Sequence, residues 1–294
     1  MTTFIAPSTV RNAGKTLTHK SWCISTSKLP ISNSGEIDAM TSALSLTPPE
    51  MIFGHNSISL HHLPSGFRIL FNSFDALDLV DKTGETGLLK VSYSEQWQRM
   101  RDKVAELKDV KDSVKAFDWT YSTTYRGTVI LSPAAAELVE KHGYRHVVAE
   151  GLDASGDGFT VDEKAEIPFD KLRRPDPILL FDEVMLYEDE LADNGIAMLS
   201  VKVRVMEERL LVLMRFFLRL DDVVVRIRDT RVYVEFATGE VVREYVAREA
   251  KYADVKKGFA MYPADEIPAL MRDPQNLVER LPVVETIREK IVKS

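Results

Sequence analysis

The chain has 294 residues, of which 45% are hydrophobic and 28% charged, enough to bury a large core and remain soluble. The net charge of -7 disfavours a role in nucleic-acid binding, since phosphate contacts need a basic surface. One cysteine, Cys23, excludes an internal disulfide framework and a zinc site built from several cysteines. No apolar stretch approaches the ~20 residues of a transmembrane helix, so we expect no membrane role.

The first part of the chain predicts an arm, a helix and a strand pair. Residues 1–20 have the composition of a flexible N-terminal arm. The stretch "GEIDAMTSAL" indicates a short helix, and "SISLHHL" with "GFRILFN" indicates two strands around a turn. A second helix, "SFDALDLVD", has Asn72 or Ser73 as its cap and carries Asp75 in its first turn, where the helix dipole favours an anion.

The middle of the chain predicts a mixture of strands and helices. "GLLKVSY" is typical of a strand, and "SEQWQRMRDKVAEL" of an amphipathic helix with Ser94 as its cap. "DWTYSTTY" alternates aromatic and hydroxyl residues, which favours a strand, with its rings in the core or, alternatively, in a partner-binding patch. "SPAAAELVEKHG" favours a helix. We expect a long surface segment over residues 131–166.

From Pro177 to about residue 248 the strand signal is almost unbroken, with turns at Asn194-Gly195, Asp221-Asp222 and Thr238-Gly239. The tail predicts helical pieces separated by prolines. The fold class is therefore α+β, with antiparallel β-sheets packed as a core, flanking helices, and a single domain over residues 21–294.

The stretch "RFFLRLDDVVVRIRDTR", residues 215–231, concentrates five arginines in one predicted hairpin. A two-residue turn at Asp221-Asp222 would place Phe216 opposite Ile227 on an apolar face and Arg215 opposite Arg228 on the other face. Like charges directly opposite are destabilising, so carboxylates of this chain or an acidic partner should lie nearby. Both a solvated sheet face and an anion site fit this pattern.

The sequence carries no complete catalytic motif. Residues 153–164, "DASGDGFTVDEK", match the early positions of a calcium loop, but Lys164 stands where a bidentate glutamate is needed. We expect no enzyme, no cofactor and no metal site. The alternative is a metal-assisted hydrolase that uses the acidic strand ends of "YEDEL" or the 153–163 loop.

Several stretches together resemble the Tip-forty-one-like (TIPRL) family: "PEMIFGHN", "GFRILFNSFDAL", "LLKVSYSEQW", "FDWTYSTTYRGT", "VMLYEDELADNGIAMLSVKVRVM" and "RFFLRLDDVVVRIRDTR". The resemblance implies a non-catalytic regulator of type 2A protein phosphatases in TOR signalling. It also implies direct binding to the phosphatase catalytic subunit and, as a further partner, an alpha-four/Tap-type associated protein.

The resemblance places phosphatase contacts at Asp75, Ile227 and Asp229, with Ile167 as a weaker match. Each residue also has a structural interpretation. Asp75 could stabilise its helix start, Ile227 could belong to the core, and Asp229 could pair with Arg231 or with Arg215, the first residue of the arginine-rich stretch. We expect a monomer in the cytoplasm, with the nucleus as an alternative location.

Overall fold

The computed structural model describes residues 13–82, 117–131 and 158–291. Within them the chain forms two antiparallel β-sheets with short helices, so the predicted α+β class is confirmed. In the described residues the smaller sheet has the order β1-β2-β4-β5-β6: β1 (Thr16–His19), β2 (Trp22–Ser27), β4 (Ser57–His62), β5 (Arg68–Asn72) and β6 (Thr128–Ile130). The larger, eight-stranded sheet there has the order β3-β8-β9-β10-β11-β12-β13-β7: β3 (Met51–Ile52), β8 (Ile178–Asp189), β9 (Gly195–Met206), β10 (Arg209–Leu220), β11 (Val224–Glu235), β12 (Glu240–Lys251), β13 (Val283–Ile291) and β7 (Thr160–Val161).

The helices are short, and the first two follow an asparagine whose side chain caps them. The helices are α1 (Ser34–Leu44), α2 (Ser73–Asp78), α3 (Phe169–Leu172), α4 (Tyr252–Lys257) and α5 (Ile267–Leu270). Before α1, the Asn33 side chain accepts from the Glu36 N–H, and the Glu36 carboxylate accepts from the Asn33 N–H. Before α2, the side chain of Asn72 accepts from the Asp75 N–H, which identifies the cap between the two candidates. None of the helices in the described ranges is long and apolar enough to cross a membrane.

The main apolar core lies between the two sheets. One face of the eight-stranded sheet, here the inner face, carries buried residues such as Val203, Val212 and Phe216. They belong to the same cluster as Ile24 and Ile58 of the smaller sheet. Burying a side chain of this size contributes about 1.5–3 kcal/mol, so this core dominates the stability of the fold.

The opposite, outer face of the eight-stranded sheet carries two separate apolar clusters. The C-terminal cluster joins strand residues to the chain between β12 and β13: Ile196, Phe217, Val225, Ile227, Val255, Phe259, Met271, Leu277 and Leu281. The α3 cluster covers the other end of the strands: Ala165, Ile167, Leu172, Met206, Tyr233 and Val242. A row of charged strand positions lies between these two clusters.

The predicted register of the β10–β11 hairpin is wrong by one residue. The loop has three residues, 221–223, and Leu220 pairs with Val224. Within the loop, Asp222 has a φ of 59° and the Val223 N–H donates to the Leu220 carbonyl at 3.1 Å. A one-residue shift moves every side chain to the other face. Phe217 rather than Phe216 therefore faces Ile227, on the outer face.

The stretch "DWTYSTTY" forms no strand, contrary to the prediction. Side chains bind its backbone instead, because Asp118 accepts from the Thr120 N–H at 2.9 Å and the Thr123 hydroxyl accepts from the Tyr125 N–H at 3.1 Å. Tyr121 also has a φ of 55°, which a strand does not allow. The rings of Tyr121 and Tyr125 are buried, so the core interpretation is confirmed for them.

Two boundaries also need correction. Strand β1 lies inside the arm predicted over residues 1–20, because Thr16–His19 pairs with β2. Strand β13 lies in the tail that was predicted to be helical, because Val283–Ile291 pairs along β12. The predicted elements in 87–107 and 132–143 lie outside the described residues, as does most of the predicted surface segment. The single-domain boundaries stay a prediction.

Candidate functional site

Asp229 and Arg215 form a buried ion pair on the outer face. The two residues are direct partners across β11 and β10. Arg215 donates from Nε at 2.7 Å and from Nη2 at 2.8 Å to the two carboxylate oxygens, and Asp229 has no solvent exposure. Such bidentate pairs fix both side chains in one geometry. Arg231 adds a third bond to Asp229, at 2.9 Å, so both predicted arginine partners are present.

The ion pairs continue across the sheet as the outer polar row, defined as Arg215, Asp229, Arg231, Glu244 and Arg288. Arg231 Nη1 donates to Glu244 at 3.1 Å, and Arg288 Nε donates to the same carboxylate at 3.4 Å. Arg288 also pairs with Glu166 at 3.3 Å, so the three guanidinium groups of the row are matched by three carboxylates. The charges that the hairpin concentrates are thus largely balanced by neighbouring strands.

Four arginines on the outer face keep a buried N–H without a hydrogen-bond partner among the described residues. Arg204 and Arg209 do so through Nε, at the end of the strands where their guanidinium groups bind the backbone of α3. Arg215 and Arg248 do so through Nη1, in and beside the outer polar row. Arg248 is on the same face because it pairs with Ile227, two residues before Asp229. An unsatisfied buried donor costs about 1–3 kcal/mol, and an incoming carboxylate oxygen could satisfy it. This part of the outer face therefore suits an anionic group.

Ile227 and Ile167 flank the row but do not reach solvent. Ile227 is fully buried in the C-terminal cluster, beside Phe217 and under Phe259 and Leu277. Ile167 is 4% exposed in the α3 cluster. In this structure both side chains hold a covering segment against the sheet, which agrees with the core interpretation of Ile227.

Asp75 lies apart from the other three predicted residues. It sits on α2, beside the five-stranded sheet, whereas Ile167, Ile227 and Asp229 belong to the outer face of the other sheet. Its carboxylate accepts from Asn72 Nδ2 at 2.6 Å and from the hydroxyl of Thr128 on β6. Burial raises the pKa of Asp75, while these two hydrogen bonds act in the opposite direction. The structure therefore does not bring the four residues into one cluster.

Arg226 and Arg228 lie on the inner face, where both bind Glu249. The Nε of Arg226 donates at 2.5 Å and the Nη2 of Arg228 at 3.0 Å. Burial alone would raise the pKa of Glu249, but the bonds and charges of the two arginines outweigh it and lower that pKa. The predicted Arg215–Arg228 cross-strand pair is wrong, because the register correction separates the two residues onto opposite faces.

The acidic positions considered for catalysis have structural roles where the structure describes them. Asp189 of "YEDEL" accepts from the Leu191 N–H at 2.7 Å and from the Glu50 N–H at 2.9 Å, which stabilises the turn after β8. Asp162 pairs with Lys290 at 2.5 Å. No group of three or more potential metal-ligating side chains is found in the described ranges. Residues 153–157 of the calcium-like loop lie outside them.

The TIP41-like family model matches residues 51–256. The chain belongs to the TIP41-like family. Members of this family with similar sequences include a TIP41-like protein of Dictyostelium discoideum, 38% identical over 93% of this chain and 91% of that protein. The type 2A phosphatase activator TIP41 of Saccharomyces cerevisiae is 37% identical over 90% of this chain and 70% of its own. A TIP41-like protein of Homo sapiens is 35% identical over 92% and 87%.

One buried charge cluster of this family member was missed from the sequence. Arg243 donates to Glu289 at 2.7 Å, Arg126 donates to the same carboxylate at 3.0 Å, and the guanidinium of Arg243 lies 3.9 Å from the ring centre of Phe159. The sequence feature that could have indicated this cluster is "VVREYVARE", whose strand pattern places Arg243 on one face of a strand. Its partner could not be identified because Glu289 lies in the tail that was predicted to be helical.

Proposed function

We propose that this protein is a non-catalytic regulator that binds the catalytic subunit of type 2A protein phosphatases. Membership of the TIP41-like family supports this proposal. So do the names of two relatives, in Saccharomyces cerevisiae and Schizosaccharomyces pombe, which are called type 2A phosphatase activators. The proposed setting is TOR signalling in the cytoplasm, with an alpha-four/Tap-type protein as a second partner.

The observation that carries the proposed site is that Arg215 and Arg248 each keep an unsatisfied N–H on the outer face. The other two arginines with such a group, Arg204 and Arg209, bind the backbone of α3, which covers that end of the strands. The row is balanced once Glu166 is counted, and Arg248 beside it leaves a surplus of one positive charge. An acidic segment of the phosphatase would satisfy both donors and neutralise that surplus. A specific interface would bury roughly 800 Å² on each partner, so the segment would contact more than the row itself.

The four residues that the family resemblance indicates keep a place in this proposal. Asp229 orients Arg215 and Arg231, while Ile227 and Ile167 hold the segments that border the row. Their substitution would weaken phosphatase binding by deforming the row. Asp75 would act at a separate place, where it joins α2 to β6.

Titration calorimetry of the purified chain against a type 2A phosphatase catalytic subunit tests the function and the site separately. We expect micromolar or tighter binding by the unaltered chain. Arg248→Gln should weaken it at least tenfold, equivalent to about 1.4 kcal/mol, and reduce its salt dependence. Arg173→Gln is the matched control, since that side chain is 80% exposed and pairs only loosely with Asp170 at 3.8 Å.

Three outcomes would change this proposal in different ways. Absence of binding by the unaltered chain would reject the function. Equal binding by Arg248→Gln and Arg173→Gln would reject the outer row as the site. Loss of binding in an Arg226→Gln, Arg228→Gln double variant, with Arg248→Gln unaffected, would move the site to the inner face.

A further inference from the structure

Strand β8 has an open edge beside which positive charge accumulates. It pairs with β9 on one side, from Ile178 to Asp189, whereas β3 pairs with its other side only at Tyr187 and Glu188. Among the described residues, no strand pairs with the free edge of residues 178–184. Many sheets have such an edge, so the side chains around this one decide what could bind it.

On the inner side of the edge, two lysines share one carboxylate. Asp182 of β8 is buried and binds Lys28, while Lys15 lies 3.8 Å from the same carboxylate oxygen. On the outer side, Lys202 pairs with Glu183 at 3.0 Å, which leaves no surplus there. One of the two inner lysines therefore has no carboxylate of its own.

Two arginines add positive charge where α3 leads into β8. Arg204 is the β9 partner of Phe181, and its guanidinium group donates to the Leu172 carbonyl at 2.8 Å. Arg174 is exposed, two residues after the end of α3. Neither arginine has a carboxylate partner in the described part of the chain. The other cations of this region have one each: Lys171 pairs with Glu235, Arg173 with Asp170 and Arg209 with Asp176.

The resulting surface, here the basic edge, consists of residues 178–184 with Lys15, Lys28, Arg174, Lys202 and Arg204. One further carboxylate lies near it, that of exposed Glu207, in the turn after the β9 partner of Ile178. Five cations therefore stand against the three carboxylates of Asp182, Glu183 and Glu207. The surplus of two positive charges attracts an acidic group, although the whole chain carries a net charge of -7.

The two sides of the basic edge select different side chains. On the outer side, Leu179 and Phe181 expose 43% and 52% of their surface. On the inner side lie the two lysines beside Asp182. Because side chains alternate along a strand, an added strand would place every second side chain against the apolar pair and the others beside the lysines. The basic edge therefore fits a strand with one apolar and one acidic side.

The backbone of the basic edge is accessible to such a strand. Lys15 Nζ donates to the Phe181 carbonyl at 2.9 Å, so this carbonyl points away from β9. The Lys15 side chain is 53% exposed. A backbone N–H could therefore displace it, and a carboxylate of the added strand could bind the released ammonium group.

Other occupants fit the basic edge less well. A second copy of this chain would bring its own Lys15 and Lys28 against the same two lysines, which is unfavourable. A lipid surface would bury unpaired backbone groups of β8 without supplying partners for them. An acidic strand satisfies the backbone and the charges together.

We propose that the basic edge binds an extended acidic segment of another protein, which adds a strand to β8 and alternates acidic with apolar side chains. The apolar side chains cover Leu179 and Phe181, and the acidic ones neutralise the surplus at Lys15 and Lys28. The basic edge lies at β8 and β9, whereas the outer polar row lies on β10 to β13. The proposal therefore does not depend on the phosphatase as a partner.

Fluorescence anisotropy of the full chain with a labelled peptide that alternates glutamate and valine tests the chemistry of the partner. We expect binding in the micromolar range that weakens as salt is added. A peptide that alternates lysine and valine should bind at least tenfold more weakly. So should the glutamate peptide with two adjacent prolines at its centre, because one of them would remove a backbone N–H that faces β8.

Variants of the chain test the place of binding. Lys15→Glu and Phe181→Ser should each weaken binding of the glutamate peptide at least tenfold. Their controls are Lys257→Glu, at a side chain on α4 that is 78% exposed, and Leu63→Ser, at an exposed side chain in the turn after β4. Circular dichroism of each variant separates loss of binding from loss of fold.

Four results would overturn the proposal. They are no binding of the glutamate peptide at millimolar concentration, equal binding of the glutamate and lysine peptides, and equal binding by Lys15→Glu and Lys257→Glu. The fourth is binding to phosphatidylserine vesicles that Phe181→Ser abolishes, in a chain that does not bind the peptide. That result would assign the basic edge to a lipid surface.

Discussion

Arg215 faces Asp229 directly across β10 and β11, and two hydrogen bonds of 2.7 and 2.8 Å join them in a site where Asp229 has no solvent exposure. A buried pair of this kind need not make the protein more stable than an apolar pair would. It is sensitive to loss of one partner, because the other then stays charged and unpaired. The pair therefore fixes which side chains may occupy the middle of the outer face.

Replacing Asp229 with alanine should destabilise the fold by about 3–5 kcal/mol, since Arg215 would lose its buried counter-charge. Urea unfolding followed by circular dichroism measures this change. Glu285→Ala, on an exposed position of β13, is the control and should change the free energy of unfolding by less than about 0.5 kcal/mol. A cost for Asp229→Ala below about 1 kcal/mol would show that the pair is not buried as described.

Substitutions at Ile227 should distinguish a packing role of this side chain from a direct contact with the phosphatase. Ile227→Ala removes buried carbon atoms from the C-terminal cluster and should cost about 2–5 kcal/mol. Ile227→Met nearly conserves the volume and should cost less than about 1.5 kcal/mol. Thermal and urea unfolding measure both variants, and calorimetry with the phosphatase measures their binding. If Ile227→Met abolished phosphatase binding in a fully folded protein, a direct contact by this side chain would be favoured over its packing role.

The Asp75→Asn variant should gain stability relative to the unaltered chain as the pH rises. Burial raises the pKa of Asp75 above its unfolded value, so the folded state binds the proton more strongly and loses stability as the pH rises through the folded pKa. Asparagine carries no charge and avoids this loss. Urea unfolding between pH 4 and pH 8 should show a growing advantage of the variant, whereas the exposed control Asp38→Asn should show little change. An advantage that shrinks towards neutral pH would contradict this assignment.

The Glu249→Gln variant should lose stability relative to the unaltered chain as the pH rises, which is opposite to the expectation for Asp75→Asn. Despite its burial, the pKa of Glu249 is lowered by Arg226 and Arg228. Its stabilising contribution is therefore present above the unfolded pKa and is lost as the pH falls through the folded pKa. The variant should therefore be less stable than the unaltered chain at neutral pH, and the difference should shrink in acid. A difference that persists unchanged at pH 3 would mean that the two arginines do not stabilise the carboxylate.

The long central strands could be predicted from sequence because β8 to β12 are rich in apolar and β-branched residues over twelve positions each and turn residues separate most of them. The register of one hairpin could not, since the sequence does not distinguish a two-residue from a three-residue loop at Asp221-Asp222. That single residue decided which face Ile227 occupies. The sequence did identify Arg215 and Arg231 as candidate partners of Asp229, because opposite charges at strand spacing limit the choices.

Strand β13 shows why other parts could not be predicted. Its sequence, "VVETIREKI", combines good helix formers with few consecutive apolar residues, and its strand conformation depends on the edge that β12 offers. The position of Asp75 has a similar explanation. Its first-turn location indicated a helix-stabilising role, but the bond to Thr128 arises from packing of residues 53 positions apart.

The chain between β12 and β13 leaves one strand of the large sheet and returns to its neighbour, and in passing it covers Ile227. A cover anchored at both ends cannot swing away as a hinged flap. It can open only by releasing its own packing as a loop or by separating the two strands. Any partner that reached Ile227 would have to wait for that opening, so its association rate would be limited by a step inside this protein and would stop rising at high partner concentration.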